Sequence, residues 1–270
     1  MESYNLGRTL SRTFSLVFNT LASVGLFILI LQVVAVAISY FTQGMMMEQV
    51  LDAQAGNNPD AALAIFGSGA YWASILLTVV LGTLTTGGAV HGYLRSAAGD
   101  PVSMGDCFSV GVAKLLPLLA LMILWFLGVG IGWILLLVPG VILICMWSVT
   151  VPAMIGENRG IIEAFGRSRE LTKGSRWMIF ATLLIFLVLI YLVMFALMGA
   201  LIGGVMGGVM TGAMAMPGSA GIMGVGALIA MLPVQWLFAS LLNALLVSIY
   251  IETVTIKEGG APEQLVNVFS

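Results

Sequence analysis

Six stretches of this chain are apolar for long enough to cross the hydrocarbon core of a bilayer, and that recurrence limits the fold more than any motif does. A helical crossing takes about 20 residues, and the runs fall at about 17–40, 70–94, 115–137, 140–155, 177–202 and 226–251. No water reaches backbone amides at that depth, so each run must satisfy its own backbone as a helix. Of 270 residues 60% are hydrophobic and 8% are charged, against the roughly 25% charge of an ordinary soluble domain. The expectation is an all-α integral membrane protein with six transmembrane helices. The first run follows Arg8 and Arg12 as a signal peptide would, but no small-residue cleavage site leads into an exported domain, so it reads as a retained span. Between Leu115 and Ile155 no polar linker intervenes, and Pro139-Gly140 is the turn signal that makes spans three and four a tight hairpin.

Charge placement orients the bundle. Arg8, Arg12, Arg95, Lys114, Arg159, Arg167, Arg169, Lys173, Arg176 and Lys257 all fall before span one, between two and three, between four and five, or after six. The opposite loops carry only Glu48, Asp52 and Asp60. By the positive-inside rule, both termini and all the basic segments are expected in the cytoplasm, and the location is a bacterial inner membrane. The net charge of −2 adds little and suggests no nucleic-acid partner. Cys107 and Cys145 sit at different depths and read as free thiols.

The cytoplasmic segments resemble one another. Gly99, Gly156 and Gly260 each precede a phenylalanine (Phe108, Phe165, Phe269) by nine positions, and Asp106, Glu163 and Asn267 each stand two residues before it. The N-terminal segment ends on a degenerate version at Phe14. The pattern predicts three parallel repeats, each an interfacial amphipathic helix plus a two-helix hairpin, over roughly 1–98, 99–155 and 156–258 of one membrane domain, with a tail at 259–270. At 100° per residue Leu6, Leu10, Phe14 and Val17 share one face of the first surface helix, and Arg8 and Arg12 another. In the third, Ile161, Ile162, Phe165 and Thr172 oppose Glu163, Arg167 and Glu170. Such helices lie in the interface plane.

The segment VPGVILICMWSVTVPAMIGENRGIIEAFGRSRELTKGSRW, from Val138 to Trp177, resembles the signature region of the bacterial glycerophosphoryl diester phosphodiesterase membrane-domain family and related uncharacterised six-span inner-membrane proteins. The matching features are Pro139-Gly140, Trp147, Pro152, Glu157, Ala164, Arg167, Ser168, Leu171, Lys173, Gly174 and Trp177, with a closing motif of Tyr250, Glu252, Lys257, Glu258 and Gly259. Val254 stands where a basic residue is expected, which weakens any inference of charge pairing with Glu252. The resemblance implies a fold and says little of activity, since the family's name comes from fusion to a soluble phosphodiesterase domain that this sequence does not carry.

Catalytic inventory is poor. The one histidine, His91, lies near the end of span two, where a polar boundary residue competes with a proton-handling one. No carboxylates or thiols gather at ligand spacing, and no Asp, Glu, Lys or Arg is expected at mid-depth. No enzyme, metal or cofactor is expected. Gln235 beside Pro233, and Asn243, are candidates for a cavity wall, against plain interhelical hydrogen bonding. Gly199, Gly203 and Gly207 recur every four residues and read as a helix-packing face. Met198, Met206, Met210 and Met214 form a stripe that reads as adaptable packing, or as soft ligands for Cu(I). Arg8, Arg12, Lys114, Arg167, Arg169 and Lys173 are expected to face headgroups, with anionic lipids of the cytoplasmic leaflet as partners and a membrane protein or second copy as a further one. The function expected is non-catalytic lipid handling or organisation of membrane partners. The alternative is a transporter or channel for a neutral or amphipathic solute.

Overall fold

The computed structural model describes residues 4–55, 67–210 and 219–259, and among them every regular element is a helix. In chain order these are α1 (Leu6–Asn19), a π-helical turn (Leu21–Gly25), α2 (Leu26–Ala55), α3 (Gly69–Ala97), α4 (Met104–Ala113) and α5 (Leu115–Leu135). Then come α6 (Leu137–Met146), α7 (Thr150–Gly156), α8 (Ile161–Thr172), α9 (Arg176–Met210) and α10 (Ser219–Glu258). Six segments are long and apolar enough to cross a membrane: Leu21–Thr42, Gly69–Ala97, Leu115–Ile134, Val138–Gly156, Arg176–Ala200 and Met231–Glu258. That is the make-up of a multi-pass membrane protein. Short helices α1, α4 and α8 lie at one end, as does the end of α10, and all ten basic residues are found there. Exposed Trp177 stands at this basic end, and exposed Trp72 and Trp133 at the other, as the two borders of a bilayer favour.

The sixth crossing is the axis of the bundle: 72% of it is buried, against 17% of the fifth. It also extends past the expected limit of 251 to Glu258, because the charge at Glu252 is covered by neighbouring helices.

The hairpin between α5 and α6 reverses at Leu136, not at Pro139-Gly140 as expected. Leu136 is fully extended (φ −171°, ψ 152°), and α6 already begins at Leu137. Pro139 thus occupies the first turn of α6, where a missing N–H has no helical acceptor to lose. The fourth crossing is then broken at Trp147–Val149, between α6 and α7. The break is covered from the side, since Ser168 on α8 donates its hydroxyl to the Met146 carbonyl at 2.8 Å, while the Thr172 hydroxyl donates to the Ser168 carbonyl at 2.9 Å and stands 3.4 Å from the Met146 oxygen.

Asp106 and Glu163 turn out to be capping residues. Asp106 accepts from the Ser103 backbone N–H at 3.3 Å, and Glu163 accepts from that of Gly160 at 3.3 Å, so each closes the first turn of its surface helix. Their position two residues before a phenylalanine therefore has a local cause. The third anchor set, Gly260, Asn267 and Phe269, lies outside the described residues.

The seam of α3 against α4 is a close approach of two helix backbones. A Cβ on Gly88 would lie 2.5 Å from the Cys107 carbonyl oxygen, one on Gly92 would lie 2.9 Å from Cys107 Sγ, and one on Gly111 would lie 2.9 Å from the Leu84 carbonyl. Gly199 and Gly203 differ, having no atom within 4 Å of where a Cβ would stand. Among the described residues nothing packs against Gly199 or Gly203, and the surroundings of Gly207 lie outside the described residues.

Candidate functional site

At the basic end α10 turns three functional groups toward its neighbours, and they organise two charge clusters. The first is built on Glu252, only 1% exposed. Its Oε1 accepts from the Asn5 backbone N–H at 3.2 Å and lies 3.4 Å from Arg8 Nε, and its Oε2 lies 3.6 Å from Arg12 Nη1. Asn5 is itself the N-cap of α1, with its side chain accepting from the Arg8 N–H, so the cap that starts α1 also fixes it to α10. Burial holds the Arg12 guanidinium below its ordinary pKa; Glu252 opposes that effect and Arg8 adds to it. Glu252 thus has its counter-charges, but from α1, not from a neighbour on its own helix, where Val254 is packed in the core.

The second cluster centres on Glu157, in the loop after α7. It accepts from Arg167 Nε at 2.8 Å, from the Tyr250 hydroxyl at 3.0 Å and from Arg159 Nε at 2.5 Å. Arg167 also donates to Glu258. Burial alone would lower the pKa of Arg167, but the bonds to Glu258 and Glu157 outweigh it and leave the guanidinium more firmly protonated than usual. Nearby, Lys114 Nζ donates to Asn158 Oδ1 at 2.5 Å. Tyr250, Glu252 and Glu258, the acidic and phenolic part of the closing motif, therefore clasp α1 on one side and the α7–α8 segment on the other.

The expected surface helices also have a face that the sequence reading missed. Thr9, Thr13, Leu16 and Val17 are the buried residues of α1, while Phe14 and Phe18 point outward at 40% and 67% exposure. Thr9 and Thr13 donate to carbonyls one turn back, at 3.1 and 2.9 Å, so their hydroxyl protons are satisfied within the chain. In α8 the buried residues are Ala164, Ser168, Leu171 and Thr172, and Ile162 points outward. The hydroxyl and small residues at four-residue spacing were the available signal.

Along α1, Arg8, Ser11, Arg12, Ser15 and Asn19 form a third, polar stripe, and it lines a cavity of about 450 Å³. Leu16, Ser96 and Ala97 at the end of α3, and Ile251 on α10 complete the lining. A second cavity of about 280 Å³, between α2 and α3 toward the opposite end, is lined by residues including Ser39, Thr42, Tyr71, Ser74 and Thr78.

The structure separates the six cations expected at headgroups. Arg12 and Arg167 are mostly covered and ion-paired, Arg8 is paired but open to the cavity, and Lys114 is half-buried against Asn158. Arg169 on α8 and Lys173, the residue just after it, are exposed. Gln235 is half-buried and Asn243 is buried, with its amide donating to the Ala239 carbonyl at 2.8 Å; neither lines either cavity described above. Near Pro233, which lies inside α10, Trp236 reaches another element: its indole N–H donates to the Gly25 carbonyl at 2.7 Å, at the π turn. His91 is half-buried on α3. Met198 is exposed, while the side chains of Met206 and Met210, and Met214 altogether, lie outside what is described.

No family model, curated protein or solved structure matches this chain.

Proposed function

We propose that this is a non-catalytic multi-pass protein of a bacterial inner membrane, with both termini cytoplasmic, that handles lipids or organises membrane partners at the cytoplasmic leaflet. The observation that carries this reading is the shape of the basic end. Helices α1, α4 and α8 turn large apolar side chains outward there, Phe18, Phe108 and Ile162 among them, beside exposed Arg169 and Lys173. Apolar side chains and cations at one level match the boundary between acyl chains and anionic headgroups, where each basic residue contributes about 1 kcal/mol of attraction. The expected family resemblance, to six-span inner-membrane proteins, points to the same setting.

The test has two arms. Single cysteines replacing Gln54 and Ser219 should react with an impermeant thiol reagent added outside intact cells, and one replacing Ser175 should not; labelling at Ser175 refutes the orientation. Purified protein carrying Arg169→Gln and Lys173→Gln should retain less anionic phospholipid than the unmodified chain by native mass spectrometry. Equal retention refutes the lipid reading.

A further inference from the structure

The basic residues are unequally engaged. Arg8 and Arg12 pair with Glu252, Arg95 with Asp100, Arg159 and Arg167 with Glu157, and Lys114 bonds the Asn158 carboxamide. Among the described residues Arg169, Lys173, Arg176 and Lys257 make neither an ion pair nor a side-chain hydrogen bond. Three of these four fall within residues 169–176. Glu170, the acidic residue of that stretch, is exposed and joins no ion pair either.

Local structure gathers the three cations at one corner. Arg169 stands in the last turn of α8 and Lys173 ends that helix. The chain then turns, closed by the Ser175 N–H donating to the Thr172 carbonyl at 3.1 Å, with Gly174 at a φ of +94° that glycine adopts freely. Arg176 follows at once as the first residue of α9. Its side chain is half-buried, and its Nε is fully covered without a hydrogen-bond partner. A covered guanidinium nitrogen with no acceptor is uncommon. Packing holds the base of the group in place, and the terminal nitrogens are left for an acceptor from outside the chain.

An apolar strip continues from this corner. Trp177 is 84% exposed, edge-on to Phe180 at 6.3 Å. At 100° per residue Leu184 and Tyr191 fall on the same side of α9 as Trp177, and both are exposed. The crossing they belong to is the least buried of the six. A soluble phosphate would use the cations alone, whereas an amphiphile would use the cations and the strip together.

We propose that the corner where α8 turns into α9 holds one anionic phospholipid, with its phosphate on the terminal nitrogens of Arg176, Lys173 and Arg169 completing the positive corner, and its acyl chains along Trp177 and Leu184. A planar guanidinium takes phosphate oxygens two at a time, and tryptophan favours the level of the headgroups. Three cations against one carboxylate in residues 169–176 select an anionic head over a zwitterionic one. The inference rests on the lipid reading above and narrows it from a basic belt to one corner.

Protein purified in a neutral detergent is titrated with short-chain phosphatidylglycerol, and separately with phosphatidylcholine, and bound species are counted by native mass spectrometry. A phosphatidylglycerol with a photoreactive headgroup then locates the site by peptide mapping. The expected result is one saturable phosphatidylglycerol per chain, weaker binding of phosphatidylcholine, and crosslinks within residues 169–180. Arg176→Gln should weaken binding roughly 10- to 100-fold, the range for a lost charge-assisted hydrogen bond, and Arg176→Lys, which keeps the charge without the fork, should recover part of it. Trp177→Ala, at an exposed side chain, should weaken it several-fold. Lys257→Gln removes the unpaired cation outside the corner and should leave binding unchanged. The proposal is overturned by any of four results: no saturable binding, equal affinity for phosphatidylcholine, unchanged affinity in Arg176→Gln, or a loss as large in Lys257→Gln. Crosslinks confined to other segments overturn it as well. Total anionic lipid in the Arg169→Gln, Lys173→Gln protein is a separate measurement, so the broader reading and this site fail independently.

Discussion

Replacing Gly88 by alanine adds a single methyl group where α3 has no room for one. The new Cβ would stand 2.5 Å from the Cys107 carbonyl oxygen and 2.5 and 2.6 Å from two ring atoms of Phe27, whereas ordinary contact begins near 3.4 Å. The shortfall is 3.4 − 2.5, or 0.9 Å. Phe27 can swing only within a packed core, where it is 2% exposed, and the carbonyl belongs to the backbone of α4, so the helix itself has to move. That movement also opens the neighbouring contacts of Gly92 with Cys107 and of Gly111 with Leu84, and a gap of 0.5–1 Å forfeits a quarter to a half of the attraction at each contact. Overpacking costs about 1–3 kcal/mol, and a backbone obstacle places Gly88→Ala at the top of that range. On a scale of 2–4 °C per kcal/mol for chains of this length, the melting temperature should fall by roughly 6–12 °C. A thiol-reactive fluorophore reads the transition, because Cys107 and Cys145 are both buried until the bundle opens. Gly203→Ala is the control: its Cβ meets nothing within 4 Å, and alanine is the better helix former by about 1 kcal/mol. Equal melting temperatures for Gly88→Ala and the unmodified protein, or an equal loss in Gly203→Ala, would refute the seam as the tight contact.

Glu252→Ala removes the carboxylate that Arg8, Arg12 and the Asn5 amide share, and should cost about 3–5 kcal/mol by urea-induced unfolding in detergent, as breaking a buried ion pair does; a loss under 1 kcal/mol would contradict the clasp. Ser168→Ala strips the hydroxyl donor from the Met146 carbonyl and should destabilise by about 1–3 kcal/mol, whereas neutrality would show that the break in the fourth crossing has another partner. Burial pushes the Cys107 thiol up to about 11; because the raised value favours the neutral thiol at lower pH, folded protein should resist maleimide at this position across pH 7–9, and rapid labelling at pH 7 would show the α3–α4 seam to be open.

What the sequence made legible is what depends on one segment at a time. Each crossing announces itself by its own length and apolarity, and every basic residue by its place between crossings, so six spans and a basic end could be read directly. Pairings across the chain could not. Nothing beside Glu252 points to Arg8 and Arg12, which approach it only because α1 folds back along α10. Spacing is also silent about what a glycine face meets: Gly199, Gly203 and Gly207 share their four-residue period with Gly88 and Gly92, and period describes a narrow helix face and not what stands opposite it. The narrow face that meets a partner does so because Cys107 and Gly111 on α4 have the same spacing. For α1, the apolar and cationic faces were visible from hydropathy, whereas half of the protein-facing stripe, Thr9 and Thr13, is threonine, which hydropathy scores as neither.

The clasp between α1 and α10 also sets an order of events during synthesis. Ser168 lies only 22 positions after the Met146 carbonyl it covers, so that repair is complete soon after the fourth crossing leaves the ribosome. Asn5 and Glu252 are 247 positions apart. Arg8 and Arg12 thus emerge first and wait through the insertion of five crossings before their carboxylate arrives. In that interval Glu252 is not yet there to pair with them, and they stand next to the first apolar run. Only when α10 is threaded do they become counter-ions. The same two side chains serve first as an address label and last as a fastener, and a nascent chain stalled before Tyr250 has the one without the other.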